Sequence, residues 1–183
     1  MRADAQRNRD RIVEVARQVF KERGLDAPLD EIARRAGVGA GTLYRHFPTR
    51  EALHDAVMQA WVEQVQEHVD KALATEGGPR AQLLAWFAEY VELLTRHKGS
   101  ASAITTALGV PDSPIRSKCQ IYAQANEKVL DALRADDALR SDVDNLSVCR
   151  LVGGVATMAD QASLDAHAVR PMLEVVADGL LQE

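Results

Sequence analysis

Residues 29–53 read LDEIARRAGVGAGTLYRHFPTREAL, and they predict two short helices joined by a tight turn. Apolar residues recur at helical spacing in residues 29–36, and Gly37 can end that helix because glycine adopts a left-handed conformation without strain. A second helix covers roughly residues 40–47 and is closed by Pro48. With a supporting helix before them, such a pair forms a helix-turn-helix, whose second helix enters the major groove of DNA.

The two faces of that second helix follow from a rotation of about 100° per residue. Leu43 and Phe47 lie four residues apart and define the buried side. The opposite side carries Gly41, Thr42, Arg45 and, on its flank, Tyr44. A glycine lets a helix approach DNA closely, and the other three residue types donate to phosphates or base edges. The face therefore suits a DNA groove, although an ordinary polar helix surface is the alternative.

The same stretch resembles the TetR family of bacterial transcription regulators. The glycine turn, the Thr42-Leu43-Tyr44 core and the phenylalanine before a basic helix start occur together, and with the preceding helix they cover about the first 55 residues. Residues 151–154, LVGG, are similar to the subgroup with an SbtR-like C-terminal region. The resemblance implies an all-α homodimer of about nine helices per subunit. Residues 1–48 would form a DNA-binding head, and residues 49–183 a body that binds a ligand and dimerises.

Carried over by position, Thr42, Tyr44 and Arg50 look like the family's contacts to the DNA backbone, whereas Ala40 and Arg45 sit where sequence is often read. Arg50 also opens a helix whose exposed N–H groups favour a phosphate, and Thr49 can cap that helix. The full set of candidate DNA contacts is Arg34, Gly39, Ala40, Gly41, Thr42, Tyr44, Arg45, His46, Thr49 and Arg50.

Two of these positions depart from the family's pattern. Gly39 stands where many members have a helix-capping serine, and Ala40 where many have a lysine. The second helix is therefore expected to be less firmly capped, and its base preference does not follow from the resemblance. His46 is common at its position and is interpreted as a packing or phosphate-flanking residue.

Charge is divided unevenly along the chain. Residues 1–50 contain eleven basic and seven acidic residues, a net charge of +4, whereas the remainder contains eleven basic and twenty acidic residues, a net charge of −9. A basic head on an acidic body favours contact between the head and a polyanion, although a solvated basic helix surface is the alternative. The first arginines form either an arm that enters the minor groove or a frayed, solvated terminus. These are Arg2, Arg7, Arg9 and Arg11.

Composition excludes several classes of protein. With 183 residues, 46% apolar and 27% charged, the chain is expected to be globular with one or two domains. It has no apolar run of about 20 residues and no signal-like start, so a cytoplasmic location is expected. Cys119 and Cys149 lack metal-ligand spacing and are interpreted as reduced packing residues, so no metal or cofactor is expected. HExxH, Walker A, GxGxxG and nucleophile-elbow motifs are missing, which argues against an enzyme.

The last two predicted helices carry small residues that allow close helix approach, so we expect two copies of this pair to form a four-helix dimer interface, with an intramolecular core as the alternative. The interface residues are predicted to be Val152, Gly153, Val155, Ala156, Ala159, Met172, Val176 and Leu180.

Aromatic and polar residues on otherwise apolar helix faces are the candidate effector contacts, with an ordinary core as the alternative. They are Trp86, Tyr90, His97, Thr105, Tyr122, Asn126 and Met158. Because no basic cluster accompanies them, we expect a neutral or weakly polar, largely apolar effector. The expected function is a repressor that binds a palindromic operator and is released by this effector. The alternative is a helix-turn-helix protein without a small-molecule ligand, either constitutive or controlled by a partner protein.

Overall fold

A computed structural model describes residues 2–182, with side chains for residues 4–182, and this part of the chain is almost entirely helical. Its nine helices are α1 (Arg2–Arg23), α2 (Leu29–Arg35), α3 (Ala40–His46), α4 (Arg50–Leu73), α5 (Gly78–Thr95), α6 (Ser100–Ala107), α7 (Arg116–Ala135), α8 (Asn145–Ala162) and α9 (Ala166–Leu180). The only β-type pairing within residues 2–182 is an isolated bridge between Leu139 and Leu181. The predicted all-α class is confirmed.

The chain divides into two compact units between Gln64 and Val65, inside α4. The sequence-based boundary, between residues 48 and 49, falls just before this helix begins. Because α4 is continuous, it contributes to both hydrophobic cores: Leu53 is buried in the first unit and Val69 in the second.

The turn between α2 and α3 follows from its glycine. Gly37 has φ +66°, and its N–H donates to the carbonyl of Arg34 while the N–H of Val38 donates to that of Ala33. This pair of hydrogen bonds is a Schellman motif, which needs a residue in the left-handed region at this position. The helix end predicted at Gly37 is thus confirmed. At the other end of α2, Pro28 is extended and precedes the first helical residue.

The basic start of the chain is helical from Arg2 onward, which differs from both an extended arm and a frayed coil. Arg7 pairs with Asp4, and Arg11 donates to Asn8, each one turn away on α1. The side chain of Arg2 lies outside the described residues. The other arginines of this segment are therefore presented from a helix surface.

In the second unit, α5 packs against α6, α7, α8 and α9, and most of its apolar side chains are buried, as expected for a central helix. Two of the helices around it begin at side-chain caps: the carboxylate of Asp144 accepts the N–H of Ser147 at the start of α8, and that of Asp165 accepts the N–H of Ala168 at the start of α9. Within residues 2–182, no helix combines the length and apolar character that crossing a membrane would need.

Candidate nucleic-acid interface and ligand site

The helix α3 has one buried and one exposed side, as its spacing predicts. Leu43 and Phe47 are buried in the core of the first unit, whereas Tyr44 is 47% exposed and Arg45 is also exposed. A β-carbon at Gly41 would meet nothing within 4 Å, so the outer surface of α3 is unobstructed at this point. The face calculated from sequence is confirmed as the solvent-facing side of the helix.

The exposed arginines of α2 and α3 differ in whether their charge is compensated. Arg35 pairs with Glu22 at 2.7 Å and with Glu31 at 2.9 Å, so its charge is largely neutralised. Arg34 and Arg45 are exposed and make no ion pair within residues 4–182. The first unit therefore presents two uncompensated positive side chains from its helix-turn-helix, which is the charge that phosphates attract.

The start of α3 lacks a side-chain cap, as the two departures from the family pattern predict. Gly39 is the extended N-cap residue (φ −69°, ψ 149°), and no side chain bonds to the first turn. Ala40 is exposed and Thr42 is half-buried. His46 is half-buried, with its ring centroid 6.3 Å from that of Phe47, which fits the packing role expected for it.

Arg50 has a structural role that differs from the predicted phosphate contact. Its Nη1 donates to the carbonyl oxygens of Leu25, at 2.7 Å, and Ala27, at 2.5 Å, in the connection between α1 and α2. The guanidinium thus holds this connection against the start of α4. Thr49 caps α4 as predicted, because its Oγ1 accepts the N–H of Ala52 at 3.1 Å.

A carboxylate already occupies the N-terminal end of α4. The N–H of Glu51 and the hydroxyl of Thr49 hydrogen-bond to the Glu51 side chain and hold the pKa of its carboxyl below the ordinary value. Glu51 is therefore ionised at neutral pH, and a DNA phosphate at this helix end would lie beside a fixed negative charge.

Sequence reasoning missed the contact that Arg9 makes. Its guanidinium lies 5.4 Å from the centroid of the Phe47 ring, a distance at which the cation and the ring attract. Arg9 lies on α1 and Phe47 directly after α3, 38 positions apart in the sequence. No local pattern could have paired them.

Four of the seven predicted effector contacts come together in the core of the second unit. The rings of Trp86 and Tyr90 stack at 5.4 Å, and those of Tyr90 and Tyr122 at 5.7 Å. The indole N–H of Trp86 donates to Oδ1 of Asn126 at 2.8 Å, and the Nδ2 of Asn126 donates to Oδ1 of Asn145 at 2.8 Å. We call Trp86, Tyr90, Tyr122 and Asn126 the aromatic cluster.

One polar group of the aromatic cluster is unsatisfied. Tyr90 is fully buried, and its hydroxyl has no nitrogen or oxygen hydrogen-bond partner within residues 4–182; the polar group that it interacts with is the Cys149 thiol, a weak partner. Burial, with a smaller effect of Cys149, raises the pKa of Tyr90 far above its ordinary value, so the hydroxyl keeps its proton. A buried donor without a partner costs about 1–3 kcal/mol, and an acceptor on a bound molecule would remove that cost.

The other three predicted effector contacts lie elsewhere. Thr105, on α6, faces Gly153 of α8, and its buried Oγ1 also lacks a hydrogen-bond partner among the described residues. His97 is exposed beyond the end of α5, and Met158 is 52% exposed on the outer side of α8. Neither residue lies on a buried face, because a helical pattern does not distinguish an exposed face from one beside a cavity, and an effector contact at His97 or Met158 stays a prediction.

Most residues predicted for the dimer interface pack inside the subunit. Five of them are buried where α8 and α9 pack on the rest of the second unit: Val152, Gly153, Ala156, Ala159 and Leu180. The remaining three, Val155, Met172 and Val176, are partly exposed. The opposite side of the same helices carries the exposed apolar face, with Leu151 and Met158 on α8 and Met172 and Val175 on α9.

A cavity of about 930 Å³ lies between α5 and the α8–α9 region, away from the aromatic cluster. Its apolar wall is a stripe of α5, and Val169 and Leu173 of α9 lie opposite. None of the seven predicted effector contacts lines it. Sequence reasoning missed this cavity because alanines flanked by charged residues are also the ordinary pattern of a solvated helix face.

Comparison with known proteins identifies both units. Residues 12–57 match the model of bacterial regulatory proteins of the TetR family, and residues 78–182 match the C-terminal domain of SbtR-like transcriptional regulators. The TetR regulator SCO0520 of Streptomyces coelicolor is 35% identical, covers 94% of this chain and 98% of its own, and has a TM-score of 0.58.

Two further relatives extend this similarity. A TetR regulatory protein from Mycobacterium vanbaalenii is 32% identical, covers 99% of both chains and has a TM-score of 0.60. The transcriptional activator FasR of Mycolicibacterium smegmatis is 28% identical over 166 residues, or 90% of this chain and 74% of its own. The similarity extends over both units of the chain.

Proposed function

The chain belongs to the TetR family of bacterial transcriptional regulators, and we propose that it acts in the cytoplasm as a homodimeric repressor that binds a palindromic operator. A small molecule bound in the second unit would release it from DNA. As a member of this family the protein is a transcriptional regulator and not an enzyme.

The outer face of α3 is the observation that carries the DNA-binding proposal. Its exposed residues include Tyr44 and Arg45, Gly41 leaves the centre of the face open, and the charge of Arg45 is uncompensated. We propose that α3 lies in the major groove, where Arg45 reaches a base edge or phosphate. The Tyr44 and Thr42 hydroxyls would donate to phosphates, and Arg34 would add a phosphate contact from α2.

The exposed apolar face of α8 and α9 supports the dimer. Leu151, Met158 and Val175 are more than half exposed, which is costly for side chains of their size unless another surface covers them. We propose that this face, rather than the predicted inner one, pairs with the same face of a second copy. Two heads held by a twofold axis would then read the two halves of a palindrome.

The unsatisfied hydroxyl of Tyr90 supports an effector in the second unit. An effector with an apolar or aromatic body and a hydrogen-bond acceptor would pair with this donor beside the aromatic cluster. Tyr90→Phe keeps the ring and removes the donor. In a thermal-shift screen of metabolites, a compound that raises the Tm of the wild type saturably and the Tm of Tyr90→Phe less would support this site. An equal effect on both would count against it.

Selection of bound fragments from sheared genomic DNA at near-physiological salt tests the DNA-binding proposal. Recovery of a palindromic motif, with half-sites one helical turn or a multiple of it apart, supports a symmetric regulator. Recovery without a motif contradicts it.

Because the relative from Mycolicibacterium smegmatis is named an activator, a separate experiment measures whether this protein represses or activates transcription. Transcription in vitro from a promoter beside the recovered site should fall when the protein is added, and a rise would contradict repression.

A further inference from the structure

The cavity beside α5 owes its existence to small side chains. Ala81, Ala85 and Ala88 recur on one stripe of α5, where longer side chains would fill the space against α9. Its volume of about 930 Å³ lies within the usual range for sites that bind small organic molecules. Ala88 is exposed, so the cavity opens to solvent and a ligand can enter without unfolding the unit.

The positive side chains that line the cavity are each compensated by an acid of the same unit. Arg80 and Arg170 lie on α5 and α9, and Lys98 follows the end of α5. The pairs are Arg80 with Asp178 at 2.6 Å, Lys98 with Asp160 at 3.5 Å, and Arg170 with Glu174 at 3.0 Å. An anionic ligand would therefore have to compete with a carboxylate that is already present at every cation.

The acidic side chains of the lining are not all compensated. The carboxylate of Glu89 lies 2.6 Å from Nδ1 of His68, and that of Asp165 caps α9. Glu92 is exposed, and its carboxylate pairs with no cation or donor within residues 4–182. Arg96, four residues after Glu92 and just beyond the end of α5, is outside the lining and makes no ion pair with it. The charge of the lining is thus net negative, and Glu92 is the carboxylate in it that has neither an ion-pair nor a hydrogen-bond partner within residues 4–182.

We propose that this cavity binds an amphipathic organic cation. The positive group lies at Glu92, and the apolar body lies along the stripe from Ala81 to Ala88. This stripe spans seven residue steps, or about 10 Å of helix, which suits an unbranched apolar chain. The site is separate from the aromatic cluster, because Tyr90 is fully buried in the core whereas Glu92 is exposed on the cavity wall.

Three probes with the same ten-carbon chain test whether the cavity prefers a cationic, an anionic or a neutral ligand. Decyltrimethylammonium, decanoate and 1-decanol are titrated into the full-length protein below their aggregation concentrations, with binding measured by calorimetry. The proposal predicts saturable binding of the cation and weaker binding of the alcohol and the carboxylate. Binding of decanoate or decanol as tight as that of the cation overturns it, as does no binding of the cation.

Substitutions at Glu92 locate the positive group. Glu92→Gln should weaken cation binding about fivefold, the upper range for an exposed ion pair, and Glu92→Lys should reverse the preference toward decanoate. Glu67→Gln makes the same change of charge at an exposed position of α4 outside the cavity and should leave binding unchanged. Equal affinities for the wild type and Glu92→Gln overturn the proposed position of the charge.

Substitutions in the apolar stripe locate the body of the ligand. Ala88→Trp should fill the opening and reduce binding of all three probes, and because Ala88 is exposed the variant should keep the Tm of the wild type. Gln120→Trp, at an exposed position of α7 outside the cavity, should leave cation binding unchanged. Unaltered binding by a folded Ala88→Trp variant, or an equal loss of binding in Gln120→Trp, overturns the assignment to this cavity.

Discussion

Gly153 of α8 faces Thr105 of α6 so closely that a β-carbon at Gly153 would overlap the threonine hydroxyl. The glycine therefore serves contact between two helices of the same unit, not the contact between subunits that its sequence context predicts. We expect Gly153→Ala to lower the free energy of unfolding by about 1–3 kcal/mol, the usual cost of overpacking a core, measured by urea denaturation.

The neighbouring glycine provides a matched control. A β-carbon at Gly154 would meet nothing within 4 Å in the subunit, so Gly154→Ala should retain or raise stability through its better helix propensity. In a Thr105→Ala background the cost of Gly153→Ala should fall, because the two side chains would no longer compete for the same space. Equal costs in both backgrounds would contradict the contact.

Val175 is 75% exposed on α9, in the face of α8 and α9 that we propose as the dimer interface. Val175→Asp would place a charge in the proposed subunit interface, where burial without a partner is costly. We expect the molar mass from light scattering to fall from that of a dimer to that of a monomer. Gln124→Asp, on the exposed side of α7, should leave the mass unchanged. A dimeric Val175→Asp variant would reject this face.

The contrast between α3 and α8 explains how much the sequence could predict. In α3 only one side is apolar, so Leu43 and Phe47 identified the buried face and the outer face followed. In α8 both Val152 and Leu151 are apolar, yet the first is buried and the second 52% exposed. Periodicity does not tell which apolar side belongs to the subunit core.

The candidate functional residues also differ in how far their roles could be predicted from the sequence. Trp86 and Asn126 were predicted as a polar and aromatic group within apolar helices, and they do meet. The role of Arg50 was not predictable, because its acceptors are backbone carbonyls of a connection that has no pattern of its own. Glu92 was not predictable either, since its importance depends on helices brought together by the fold.

Glu51 is predicted to weaken DNA binding. Its low pKa keeps the carboxylate charged at neutral pH, beside the helix end where a phosphate is expected. Glu51→Gln should therefore increase affinity for any duplex about two- to fivefold at low salt, and the gain should shrink as salt rises. Asp26→Asn removes a charge from an exposed turn of the same unit and should have a smaller effect. Equal gains in affinity for both variants would contradict a specific effect of Glu51, because the change in net charge alone would explain them.

Stability at alkaline pH should depend on Cys149. Burial raises the pKa of its thiol from 9.0 to about 11. Between these values the unfolded chain loses the proton more readily than the folded one, so the contribution of the thiol is complete below pH 9 and declines above it. Relative to Cys149→Ala, the wild type should lose about 1.4 kcal/mol of unfolding free energy from pH 8 to pH 10. A difference independent of pH would contradict the burial effect.

The outer face of α3 is proposed to bind operator DNA, and Gly41 provides the most direct test of this role. Gly41→Leu adds a side chain into open space, so the fold should be retained while the helix can no longer approach the groove. We would measure fluorescence anisotropy of a labelled duplex enriched by the genomic selection. Affinity should fall by at least about tenfold, the loss of one good base contact, whereas Gln18→Leu, exposed on α1, should bind like the wild type. Wild-type affinity in a folded Gly41→Leu variant would contradict the account.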